Sequence, residues 1–196
     1  MFGAAWLGGV IAAVVVVACA CSLGQQHGYA QSSDGSLSFR YPPDWEEVDI
    51  EPVTVEWVIG LDASPQPSAG NQADYVVGQP FVVAQVLPLE PSVRDQATVS
   101  RLRTLALEDR RDPAAGDDPD IRIVFVEDYL DERGFQGQHM RFEVDLETGT
   151  AMAEHLAVFD PERNRVQRVR VACSIECFTT NEGVIEEIFD SVRLRP

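Results

Sequence analysis

The chain has 196 residues, 45% of them apolar, enough for one domain with a sizeable core. Its formal charge is −17, which argues against nucleic acid and anionic membrane surfaces as partners. All 15 basic residues are Arg.

Met1 to Leu23 carries no charge and is apolar apart from Gly, Cys and Ser. Val16-Val17-Ala18-Cys19 resembles the bacterial lipobox, in which the Cys becomes the lipidated N-terminus, and Cys19 is the expected lipidation site. Cys21 fits that pattern less well, because Ala18 is a poorer match three residues before it. Two other readings stand beside it. Ala18-Cys19-Ala20 and Gly28-Tyr29-Ala30 resemble ordinary signal cleavage sites, and about 20 apolar residues are also long enough for a spanning anchor. The basic segment usual before such a stretch is missing, which points to a start codon upstream. All three readings place the domain outside the cytoplasm, where disulfides persist.

Residues 1–20 are thus expected as a leader, 21–35 as a flexible Gln/Ser/Gly tether, and 36–196 as one folded domain. Ser36–Tyr41 opens it as a strand, with Leu37, Phe39 and Tyr41 on one face, stopped by Pro42-Pro43. Val53–Leu61 and Tyr75–Leu87 are the next strand-like runs, around a Pro/Ser/Gly/Asn loop from Asp62 to Asp74. Ser92 or Asp95 can cap a helix to about Arg110, with Val99, Leu102, Leu105 and Ala106 facing inward. The acidic loop Asp112–Asp120 lacks the spacing of a calcium loop and reads as a solvated connector.

Four strand-like runs follow: Ile121–Leu130, Phe135–Leu146, Thr150–Asp160 and Arg165–Cys173. Short turns between them predict an antiparallel meander. Val184, Ile185, Ile188, Phe189 and Val192 then form one helical stripe, and Thr179 with Glu182 reads as its capping box. Cys173 and Cys177 lie four apart. An extended chain would hold their Cα atoms about 13 Å apart, whereas one turn brings them to about 6 Å. A disulfide between them therefore requires the strand to end near Cys173, and closing so short a loop is worth about 2 kcal/mol.

The opening strand ending in Phe39-x-Tyr41-Pro42-Pro43-x-Trp45, the mid-chain helix, the meander and the closing helix followed by Ser191-Val192 resemble the PsbP-like αβα-sandwich family. Within it they resemble the actinobacterial LpqN/LpqT-type lipoproteins. The resemblance implies an α+β fold, a mixed and largely antiparallel sheet with helices on both faces. It also implies a binding or assembly role without an established catalytic centre, and it supplies no binding residues.

No G-x-S-x-G, H-E-x-x-H, G-x-G-x-x-G or phosphate loop is present. No cofactor and no metal is expected, since no second Cys pair remains for zinc once Cys19 and Cys21 go to the membrane. Register offers one constellation. A three-residue loop Glu147-Thr148-Gly149 would pair Leu146 with Thr150, and Pro161–Asn164 would pair Asp160 with Arg165. His139, Arg141, His155, Arg168 and Arg170 then share one face over a floor of Ala151, Ala153, Ala157 and Ala172. That cationic face suits an anionic ligand or an acidic protein surface, unless Glu127, Glu143 and Asp145 neutralise it or a helix covers it. Glu154 falls on the opposite, apolar face. It must reach the sheet edge, pair with an Arg, or mark a wrong register.

The functional expectation is a lipid-anchored, non-enzymatic binding or interaction module on the outer face of the bacterial cell membrane. Its partner is a protein or a small anionic or apolar ligand. A carrier of apolar envelope ligands, or a hydrolase using His139 or His155 as base, are the alternatives.

Overall fold

The alternation read from Ile121 to Cys173 folds into consecutive antiparallel strands, and a computed structural model shows what surrounds them. It describes residues 27–50, 55–64, 78–102, 121–146 and 149–196. The leader with Cys19 and Cys21, most of the 62–74 loop and the acidic loop before Ile121 lie outside the described residues. In chain order the strands are β1 (Gly28–Gln31), β2 (Leu37–Tyr41), β3 (Glu46–Val48), β4 (Trp57–Asp62) and β5 (Phe81–Pro88). After a single turn of helix, α1 (Pro91–Arg94), come β6 (Ile121–Leu130), β7 (Gln136–Leu146), β8 (Gly149–Phe159) and β9 (Arg165–Ser174). Helices α2 (Ile175–Thr180) and α3 (Glu182–Asp190) and the short β10 (Arg193–Leu194) close the chain.

Seven strands form one sheet in the order β3-β4-β5-β9-β8-β7-β6, and β1-β2-β10 form a second. Every described pairing is antiparallel. Because side chains alternate across a strand, the large sheet has two unlike faces. On the first face, Val82, Ala84, Leu156, Val158, Val169 and Val171 pack with Leu37 and Phe39 of β2 and with Phe178, Ile185, Ile188 and Phe189 of the closing helices. On the second, Met140, Phe142, Val144, Ala153 and Ala172 cluster, while Ala97 and Leu102 pack over Ala157, Phe159 and Val166. This is the α+β architecture that the sequence implied. Gly137 in β7 is fixed by close approach: a Cβ there would lie 2.0 Å from the Ala157 carbonyl oxygen and 2.6 Å from the Val158 Cα.

Three local expectations are corrected. The tether expected over 21–35 is structured from Gly28, because Gly28–Gln31 pairs with Ser38–Tyr41. The Ser32 hydroxyl ties the intervening turn by donating to Asp34 Oδ1 (2.6 Å) and accepting from the Leu37 amide (3.0 Å). Such a short polar run reads as linker by composition, yet Ser32 and Asp34 close a turn in it.

The helix expected from Ser92 or Asp95 is broken. Pro91 starts α1, which ends at Arg94, and a new helical turn begins after Thr98, whose Oγ1 accepts from the Arg101 amide (3.3 Å). Leu102 is buried as expected, Val99 is half-buried, and Leu105 and Ala106 lie outside the described residues.

The third correction concerns the closing helix. Thr179 and Glu182 form no capping box. Ser174 caps α2 by accepting from the Cys177 amide (3.3 Å), and Thr179 sits inside α2, its hydroxyl donating to the Ile175 carbonyl (2.9 Å). Asn181 then bends the chain, its side-chain amide donating back to the Cys177 carbonyl (2.8 Å), and α3 begins one residue later. The expected stripe survives in α3, where Ile185, Ile188 and Phe189 are buried. Cys173 and Cys177 are disulfide-bonded with Cα atoms 6.0 Å apart, at the bend from β9 into α2.

Candidate functional site

The geometry of the site follows from one register. β7 ends at Leu146 and β8 begins at Gly149, with Leu146 paired to Gly149 and Asp145 to Thr150. The expected three-residue loop would have paired Leu146 with Thr150. The β8–β9 register, by contrast, is as expected: Phe159 opposes Val166, and the Asp160 amide donates to the Arg165 carbonyl (3.2 Å). A slip of one residue turns a strand over. The five-cation face is therefore not formed.

His155 and Arg170 oppose each other on the second face, with Arg168 opposite Ala157 beside them. His155 and Arg170 are buried there, and the Arg168 side chain donates to Gln85. His139 and Arg141 go to the first face, opposite Leu156 and Glu154. The expected neutralising acids also scatter. Glu143 pairs with Arg122, Asp145 accepts from the Thr150 hydroxyl (2.6 Å), and only Glu127 stays beside His139.

Glu154 is the hub of what forms instead. Its carboxylate, 3% exposed, meets His139 Nε2 through Oε1 (2.7 Å). Its Oε2 accepts from Arg141 Nε (2.8 Å) and Nη2 (2.7 Å). Arg141 Nη1 reaches across to Glu182 Oε1 at the start of α3 (2.8 Å). The guanidinium lies over the Phe178 ring, 4.9 Å from its centroid, and 5.5 Å from that of Phe125. Burial disfavours its charge, but hydrogen bonds and charge from Glu182 and Glu154 outweigh burial and raise its pKa, so Arg141 stays cationic. The His139 ring stands edge-on to Phe125 (5.2 Å) and tilted against Phe189 (5.1 Å).

Above this floor opens a cleft of about 290 Å³. One wall is Phe125 and Glu127 of β6, and the other is Glu186, Phe189 and Asp190 of α3. The lining thus holds four carboxylates against one Arg and one His. No hydroxyl or thiol lies among its side chains, and both oxygens of Glu154 are engaged. Such an arrangement can fix a surface and hold a charged group. Among the described residues no group of three or more His, Cys, Asp or Glu could hold a metal ion, and no helix is long and apolar enough to cross a membrane.

Of the five residues read as one site, the structure brings His139 and Arg141 together and sends the other three to the opposite face. Glu154, Glu186 and Asp190 were not among the expected site residues. The available signal was Glu154 itself, an acid placed by the wrong register among apolar neighbours.

No protein-family model matches the chain, and no curated protein does. Solved structures do. The solution structure of cyanobacterial PsbP (CyanoP) from Synechocystis sp. PCC 6803 superposes with a TM-score of 0.64 at 10% identity, covering 92% of this chain and 99% of that one. LpqN of Mycobacterium tuberculosis, described as involved in cell envelope biogenesis, gives 0.50 at 14% identity over 87% and 91%. The Ran-binding protein Mog1p of Saccharomyces cerevisiae gives 0.50 at 8% over 86% and 95%. The fold is PsbP-like, as the sequence resemblance implied, and LpqN is a structural relative.

Proposed function

We propose that this PsbP-like domain is a non-enzymatic binding module of the bacterial cell envelope, held at the outer face of the cell membrane by a lipid on Cys19. The observation that carries the binding reading is the cleft between β6 and α3. Its His139–Glu154 pair is locked to Arg141, and its lining holds no hydroxyl or thiol. Binding surfaces need fixed, rigidly supported groups of this kind. A cleft with four lining carboxylates gives no support to an apolar carrier.

The address has its own support. The Cys173–Cys177 disulfide suits an oxidising compartment. Cleavage after Ala30 would cut through β1, whereas processing at Cys19 leaves that strand whole. Replacing Cys19 by Ser is expected to release the protein from the membrane fraction without detergent. Retention of an uncleaved chain would replace the lipid by a spanning anchor. For the cleft, a photo-crosslinking residue at Glu186 in living cells is expected to give a discrete adduct that the same residue at the exposed Glu132 does not. Identical patterns at the two positions would remove the cleft as the binding surface.

A further inference from the structure

We infer that the cleft receives a guanidinium or ammonium side chain from a basic segment of a protein partner. This deepens the binding reading and rests on it. The acids in the cleft and Glu182 beside it divide into two groups. Glu154 and Glu182 are satisfied by His139 and Arg141. Glu127, Glu186 and Asp190 line the same space, and among the described residues none of their carboxylates has an ion-pair partner. Their placement works against α3 itself. Glu186 and Asp190 lie four residues apart, where like charges repel along a helix. Asp190 is also the last residue of α3, the end at which the helix dipole disfavours an anion. A cation entering between α3 and β6 relieves all of these repulsions at once, and the faces of Phe125 and Phe189 offer apolar surface to its methylene stem.

The shape selects the class of occupant. About 290 Å³ lies at the small end of ligand sites, room for one side chain. Glu186 and Asp190 stand one turn apart on α3, about 6 Å along its axis, facing Glu127 on β6, so that a basic side chain can enter between them. The −17 charge of the chain steers a basic segment inward. This inverts the expectation drawn from sequence, because the face that receives His139 and Arg141 also receives more acid than base.

The test uses the full chain in detergent micelles at physiological salt, titrated with fluorescent peptides of alternating Arg and Ser, Lys and Ser, or Glu and Ser. Binding of the Arg and Lys peptides is expected, and none of the Glu peptide. The pair Glu186→Gln and Asp190→Asn should weaken it about tenfold or more. The pair Glu132→Gln and Glu162→Gln removes the same charge from exposed turns and should change it no more than about twofold. Phe125→Leu should weaken it with the charge unchanged. Equal loss in the two charge pairs would reduce the effect to net charge and overturn the site. Spermidine binding tighter than the peptides, with the same dependence on Glu186 and Asp190, would make it a polyamine site and overturn the protein partner. Absence of peptide binding while Glu186 still crosslinks would overturn the cation and leave the binding module standing.

Discussion

Two hairpins share strand β8, and they hold their registers by different means. The β8–β9 turn is pinned where it stands. Asp160 Oδ1 accepts from the Asn164 amide (2.6 Å) and the Arg165 amide (3.0 Å), and Arg163 supplies a left-handed residue at φ 54°. The segment between β5 and α1 joins in, the Leu89 amide donating to the Asn164 carbonyl (2.6 Å). The β7–β8 hairpin is fixed several residues from its turn, by Glu154 gripping His139 and Arg141 on one strand and, through Arg141, Glu182 on α3. The first register is written locally; the second is settled by a tertiary ion cluster. Turn chemistry read from sequence works for the one and fails for the other.

Glu154→Leu separates the two possible registers of β7 by sign, and it carries the largest expected effect. With Glu154 facing Arg141, the substitution leaves a mostly buried guanidinium with only the half-exposed Glu182 as counter-charge. Losing one partner of such a pair costs about 3 kcal/mol, and for a chain of this size Tm falls by about 10 °C. Had Glu154 faced Phe142, as the three-residue loop required, Leu would extend the apolar cluster there and raise Tm. Thermal unfolding followed by circular dichroism reads the sign directly.

Asp160→Ala probes the local hairpin and is expected to cost about 2 kcal/mol, since two backbone amides lose a buried acceptor. Asp160 and Glu154 lie six residues apart on extended chain, about 20 Å, with no shared partner. Their effects in the double variant should add to within about 0.5 kcal/mol. A large non-additive term would mean that the two hairpins set their registers together, and the contrast between them would fall.

The same contrast explains what was legible in the sequence. The four-stranded meander, the disulfide bend and the α3 stripe follow from period-two and period-3.6 patterns and from a four-residue Cys spacing, all local quantities. The β1 strand was hidden because Gly28–Gln31 has little apolar content and is made a strand by its partner β2. The break between α2 and α3 was hidden because Ser174 and Thr179 are both plausible caps, and only packing selects Ser174. At the cleft, His139 and Arg141 were found as residues but placed on the wrong face, because Glu147-Thr148-Gly149 admits both a two- and a three-residue loop. Glu186 and Asp190 face the cleft from a helix remote in sequence, and no periodicity joins them to β6. The fold was legible where neighbours in sequence are neighbours in space; the site joins three distant segments.

The smallest expected effect lies at the locally written end, where Asp34 in the β1–β2 turn pairs with Arg165, the first residue of β9. Burial tends to raise its carboxyl pKa, but hydrogen bonds from the Ser32 hydroxyl and the Ser36 amide, with the Arg165 charge, hold it well below the usual carboxylate range. The unfolded chain then binds this proton more readily than the folded one, with a pKa near about 3.9. The linked stability is fully present above that value and drains away as pH falls toward the depressed folded value. Asp131, lowered by Arg133 and the Phe135 amide against its own burial, adds a contribution of the same sign. Asp34→Asn should therefore lower Tm most at pH 6 and progressively less toward pH 2.5, where the native carboxyl begins to lose its advantage. The Asp131 share of the acid decline should remain in the variant. A gap between native and variant that stays constant from pH 6 to pH 2.5 would show that Asp34 holds the turn by shape alone, and that its charge does not help to anchor β9.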